Sequence, residues 1–89
     1  MMSPTPGAIS DVNKPTKREL EVLERIAQGM TSKQIASALN ISFKTAVTHR
    51  ARLFNKFDVH NAAFLVRRAI ALGYLSPDPE KGFVRKIYG

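Results

Sequence analysis

The 89-residue chain has no cysteine, which excludes disulfide staples, thiolate zinc sites and cysteine nucleophiles. It lacks any apolar run near the roughly 20 residues that a membrane span requires, and its first residues show no basic-then-apolar leader pattern. A soluble, cytoplasmic chain is therefore expected. Histidine is scarce: His49 and His60 stand eleven positions apart with no carboxylate cluster beside them, so no metal ligand set is expected. No Ser/His/Asp arrangement, phosphate-cradling glycine loop or cleft-lining carboxylate pair can be assembled either. An enzyme is not expected, nor a cofactor or a small-molecule ligand.

Acidic residues are the other shortage. Seven Asp and Glu stand against 14 Lys and Arg, a net charge of +7, which calls for an anionic partner. The imbalance is local. Between Lys33 and Arg68 there are seven basic residues (Lys33, Lys44, Arg50, Arg52, Lys56, Arg67 and Arg68) and one acid, Asp58. Glu19, Glu21 and Glu24 lie together earlier and are assigned to capping and surface charge. Such segregation describes one basic face.

What the chain does have is helix punctuation. Residues 1–14 carry Ser, Thr, Gly, Asn and Pro with little periodicity and read as a flexible arm or linker. Thr16 and Glu19 form a capping box, followed by a helix to about Gln28 with Leu20, Leu23, Ile26 and Ala27 on one face and Gly29 as its stop. A second capping box, Thr31 with Gln34, opens a short helix over about 32–39, with Met30 and Ile35 placed as a hydrophobic staple. Asn40 suits a left-handed turn, Ile41 plugs the core, and Ser42 caps a third helix to about Phe57. Two capped helices joined by so short a turn make a helix-turn-helix.

Winding the third helix at about 100° per residue puts Ala46, Leu53 and Phe57 on one side, as core. The opposite side gathers Lys44, Thr48, Ala51, Arg52 and Asn55, with Thr45 and Val47 at its edges. That side is small, polar and basic, and no acid occurs from Phe43 to Phe57. A solvated helix ordinarily mixes both signs for pairing. One with cations alone can enter a DNA major groove without steric or charge conflict. RNA fits less well, because no aromatic strand platform is present and A-form RNA closes its major groove to a helix. A protein-docking module is the other competing class, and the acid-free helix argues against it.

Asn61 caps a fourth helix over about 62–72, ending at Gly73. Leu65, Ala69 and Leu72 share one side, while Ala63, Val66 and Ile70 make a second stripe. That stripe serves either a deeper core, under Phe83 or Tyr88, or a self-complementary dimer seam; the seam is the expectation, with Arg67 beside it. Residues 76–89 form a tail that could dock, touch phosphates or stay free.

From Thr16 to about Leu75 the order of residues resembles the LuxR-type helix-turn-helix, also called the GerE or NarL/FixJ effector domain. The matching strings are Thr-Lys-Arg-Glu-Leu-Glu-Val-Leu (16–23), Ile-Ala-Gln-Gly (26–29), Ser-Lys-Gln-Ile-Ala (32–36), Leu-Asn-Ile-Ser (39–42), Lys-Thr (44–45), His-Arg (49–50) and Lys-Phe-Asp-Val (56–59). The resemblance implies an all-α, four-helix domain over residues 15–75 that regulates transcription on double-stranded DNA. Helix 3 (43–57) would lie in the major groove and helix 4 (62–72) would pair a homodimer, with RNA polymerase a candidate further partner. Carried over by position, Val47, Thr48 and Ala51 face base edges. Lys44, Thr45, His49, Arg50 and Arg52 become phosphate or groove-edge residues, with Asn55 and Lys56 completing the set; His49 could equally bond a backbone group and fix packing. Ala63, Val66, Arg67 and Ile70 form the dimer seam. Val47 stands where the family usually carries a polar or basic residue, Ala46 where Val is common, Ala62 where a basic residue is frequent, and Pro15 where an apolar staple residue is usual. Such a chain is either a standalone regulator or the effector end of a longer one.

Overall fold

The computed structural model describes residues 14–86, and each helix in it starts where a side chain can satisfy amides that a helix start leaves open. α1 (Lys17–Ala27) opens on Thr16, whose Oγ1 accepts from the Glu19 amide at 3.1 Å while Glu19 Oε1 accepts from the Thr16 amide at 2.9 Å. α2 (Ser32–Leu39) repeats the device with Thr31 and Gln34 at 3.2 and 2.8 Å. Ser42 caps α3 (Phe43–Phe57) and Asn61 caps α4 (Ala62–Ala71). Both expected capping boxes and all four expected helices are present.

All four helices end in the same way. Gly29, Asn40, Asp58 and Gly73 take left-handed backbone angles, with φ of 87°, 56°, 54° and 85°. Just beyond each, an apolar residue donates its amide five residues back. The bonds are Met30 to Arg25, Ile41 to Ala36, Val59 to Phe54 and Tyr74 to Ala69, at 2.8 to 3.1 Å. This hydrogen bond, with an apolar residue folded back over the helix end, is the Schellman termination. It turns the chain and seats that residue in one step: Val59 is buried, and Met30, Ile41 and Tyr74 pack against the core.

The core takes one side of every helix: Val22, Leu23 and Ile26 from α1, Ile35 and Ala36 from α2, Ala46, Leu53 and Phe57 from α3, Leu65 and Ala69 from α4. The Tyr74 ring meets Phe57 edge-on, with ring centroids 5.7 Å apart. α4 ends one residue earlier than expected, and Leu72 is exposed instead of sharing the buried side of Leu65 and Ala69.

The expectation of an all-α fold needs amending, because a β-hairpin follows the helices. β1 (Leu75–Asp78) pairs antiparallel with β2 (Gly82–Arg85), with Leu75 opposite Arg85 and Asp78 opposite Gly82. The Asp78 carboxylate accepts from the amides of Lys81 and Glu80 at 2.8 and 2.9 Å, which closes the turn and holds its carboxyl below the ordinary acid range. A two-stranded hairpin is marginal alone, and this one is fastened to α1. Gln28 Nε2 donates to the Phe83 carbonyl at 3.0 Å, and the Arg85 amide donates to Glu24 Oε2 at 2.8 Å. Of the three fates open to the tail, docking is the one seen for residues 76–86. Residues 1–13 of the expected arm, and Tyr88, lie outside the described residues.

Candidate nucleic-acid interface

α3 is set at both ends and clamped from beneath. At its start Ser42 Oγ accepts from the Thr45 amide at 3.0 Å and donates to Thr45 Oγ1 at 2.8 Å, so Thr45 is drawn into the cap and half-buried. At its end Arg68 Nη1, from α4, donates to the Phe57 carbonyl at 2.8 Å. A cation there suits the negative end of the helix dipole. With Ala46, Leu53 and Phe57 locked inward, the opposite face is fixed: Lys44, Val47, Thr48, Ala51, Arg52 and Asn55 are all exposed. Among the described residues Lys44 and Arg52 make no ion pair.

The remaining expected cations divide. Arg50 is half-buried, its guanidinium 5.2 Å from the centre of the Phe54 ring, and it borders an open cleft of about 440 Å³ with Met30, Thr31, Ser32 and Ala62. It therefore stands on the flank of α3 facing the start of α2. His49 is half-buried with its Nδ1 shut away from solvent and without a hydrogen-bond partner, so the backbone bond allowed by the sequence is not made by that atom. Lys56, grouped with the groove-edge cations on sequence, turns towards α1. Its Nζ donates to Glu19 Oε1 at 2.6 Å and to the Lys14 carbonyl at 3.1 Å.

Glu19 is the reason. At 1% exposure it is the one buried charged residue among those described, whereas its sequence position suggested only capping and surface charge. Burial by itself would raise its pKa. The Lys56 hydrogen bond, the Thr16 amide, and the charges of Lys56 and His49 outweigh that, and the carboxyl stays below its ordinary value of 4.5. A buried carboxylate this well paired is a structural joint between α1 and the last turn of α3.

Two features escaped the sequence reading. Phe43, the first residue of α3, is 58% exposed and lies one helical turn from Val47, at 41%. Phe64 on α4 is 53% exposed, with the Arg67 guanidinium 5.8 Å from its ring centre. Spacing alone could have paired Phe43 with Val47, since residues four apart share a helix face. Of the expected dimer residues, Ala63, Arg67 and Ile70 are exposed, while Val66 is half-buried and packs on the core. No group of metal-binding side chains occurs among the described residues, and none of their helices is long and apolar enough to cross a membrane.

A capped helix pair with a basic, acid-free outer face narrows the choice of family, and comparison decides it. Residues 15–69 match the family described as bacterial regulatory proteins, luxR family. The chain belongs to the luxR family. It is 44% identical over 64 residues to the uncharacterized response regulatory protein YgeK of Escherichia coli strain K12, a stretch covering 72% of this chain and 44% of that protein. It is 51% identical over 53 residues to the transcriptional regulatory protein UhpA of the same organism, covering 60% and 27% of the two. With its nitrate/nitrite response regulator protein NarP it shares 50% identity over 46 residues, covering 52% and 21%. The chain thus spans less than half the length of each of these relatives. No solved structure matches it significantly. The luxR match takes in all of α1 to α3 and ends at Ala69, so the β-hairpin lies beyond it. LuxR-family membership makes this a DNA-binding domain of the transcription-regulator type, a family that is typically non-enzymatic.

Proposed function

We propose that the chain regulates transcription by laying α3 in the major groove of duplex DNA, with Val47, Thr48 and Ala51 towards the base edges. Lys44 and Arg52 approach phosphates directly, helped by Asn55 and Thr45, while Arg50 and His49 reach the backbone from the flank. Lys56 is assigned to the fold. The observation that carries this reading is the exposed face of α3, which presents cations that no acid of the described chain neutralises. Such cations supply salt-dependent, sequence-independent affinity, and groove contacts add discrimination.

Two copies pair through α4, where exposed Ala63, Arg67 and Ile70 lie beside half-buried Val66. Twofold pairing places the recognition helices on half-sites about 34–36 Å apart.

Amide-shift NMR titration with a short random-sequence duplex at low salt tests the groove assignment. Shifts concentrated between Ser42 and Asn55 that fade as salt rises are expected. Shifts confined to the hairpin, or none, overturn the assignment of α3.

A further inference from the structure

We infer that an apolar row on α3 formed by Phe43, Val47 and Ala51 reads the 5-methyl groups of thymine, so that the half-site is an A·T-rich duplex. This inference deepens the groove reading above and rests on it.

The three residues recur every four positions, so they run along one side of the helix. All three are exposed, Phe43 at 58% and Val47 at 41%. Two large hydrophobic side chains exposed one turn apart at the start of a helix offer an apolar surface to a partner. No described residue covers them, and the helix beneath is already packed through Ala46, Leu53 and Phe57.

The surroundings say what kind of partner covers them. Lys44 and Arg52 lie beside the row on the outer face of α3, without ion-pair partners among the described residues, and no acid occurs anywhere on α3. An apolar strip with cations beside it complements apolar groups on base edges with phosphates beside them. In the major groove the only apolar group on a base edge is the thymine methyl; the other groups there are donors and acceptors. Phe, Val and Ala have no polar side-chain atom. Against guanine N7 and O6 or cytosine N4 they leave those groups dehydrated and unpaired, which is unfavourable. Against a methyl they bury apolar surface on both sides.

The dimensions agree. Four residues of helix rise about 6 Å, so Phe43 to Ala51 spans about 12 Å. Base pairs stack at about 3.4 Å, so the row covers about four base pairs, one apolar contact for roughly every second step.

The test starts from a random-sequence duplex pool carrying thymine, from which the full chain selects its sites. The best duplex is then rebuilt with deoxyuridine for thymine inside the half-site, which removes methyls and leaves every hydrogen-bonding group in place. Enrichment of thymine over about four adjacent pairs is expected, with affinity falling about fourfold for each contacted methyl removed. F43A and V47A should bind the thymine duplex more weakly and discriminate less between thymine and uracil. Both should keep wild-type helicity and melting temperature, because the replaced side chains are exposed. Equal binding of thymine and uracil duplexes overturns the inference while leaving groove binding intact. Self-association of the free chain that F43A abolishes also overturns it, since the row then faces a second copy. Failure to bind any duplex overturns the groove reading itself, and this inference with it.

Discussion

α1 and α3 carry charge in opposite ways. Each acid on α1 has a cation within reach: Glu19 has Lys56 at 2.6 Å, Glu21 has Arg18 at 3.2 Å and Glu24 has Arg85 at 3.4 Å. On α3 the exposed Lys44 and Arg52 have none among the described residues. The pairs are not equal in value. Arg18–Glu21 is a solvent-facing pair within one helix and contributes little. Glu19–Lys56 joins residues 37 positions apart on a buried carboxylate, and Glu24 holds both the amide and the side chain of Arg85. Charge on α1 is directed to tertiary structure. Charge on the outer side of α3 is left for an anion from elsewhere.

This division can be broken by experiment, and the largest effect belongs to the inner side of α3. Phe57→Ala removes a fully buried ring and its edge contact with Tyr74. It should cost about 3–5 kcal/mol of stability, measured as a lower denaturant midpoint. Next comes the joint. Lys56→Ala strands a buried carboxylate and should cost about 2–3 kcal/mol, less than a wholly buried pair because Lys56 is still partly in water. Its DNA affinity at temperatures where it is folded should keep the wild-type salt slope. A reduced slope with unchanged stability would return Lys56 to the DNA surface.

The same joint fixes an acid response. Glu19 has a folded-state pKa below its ordinary value of 4.5. Its contribution is therefore fully present above that value and is lost as pH falls through the lower, folded-state value. Stability measured from pH 6 downwards should decline once pH drops below about 4.5. Glu19→Gln keeps a capping side chain and should flatten that part of the decline. An undiminished decline in the variant would assign it to other carboxylates. The smallest effect on folding belongs to the outer side: Lys44→Ala should change stability by no more than about 0.5 kcal/mol. It should nonetheless weaken binding to every duplex and reduce the salt slope by about one. An unaltered slope would remove Lys44 from the phosphate contacts.

The parts of this molecule that can be read from its sequence are those built by neighbours. Capping pairs are three residues apart, and the left-handed stops at Gly29, Asn40 and Gly73 follow their helices directly, so composition and spacing locate them. The outer side of α3 was legible for the same reason, since a helix sorts its residues by angle. Legibility failed where the partner is distant in sequence. Nothing near Glu19 announces that Lys56 will cover it. Nothing in Leu75–Asp78, four residues with a proline among them, announces a strand; its hairpin is held by Gln28 and Glu24, 55 and 61 positions from Phe83 and Arg85. Phe43 was missed differently. The sequence reading followed the polar and basic side of α3 and left this aromatic residue unassigned, although its spacing from Val47 pairs the two, and the structure leaves it 58% exposed.

The Glu19–Lys56 joint has a consequence for how such a domain can change over generations. It ties the last turn of α3 to the first turn of α1, so α2 and α3 are not a cassette that can be lifted onto another scaffold; transplanted alone, Lys56 would lose its carboxylate and the Phe57 carbonyl its guanidinium donor. What can be exchanged is smaller. Phe43, Val47, Thr48 and Ala51 are exposed and stand apart from the joint, so they can vary with little penalty to folding. Inheritance of the scaffold and drift of the target sequence are thereby uncoupled, residue by residue, along a single helix.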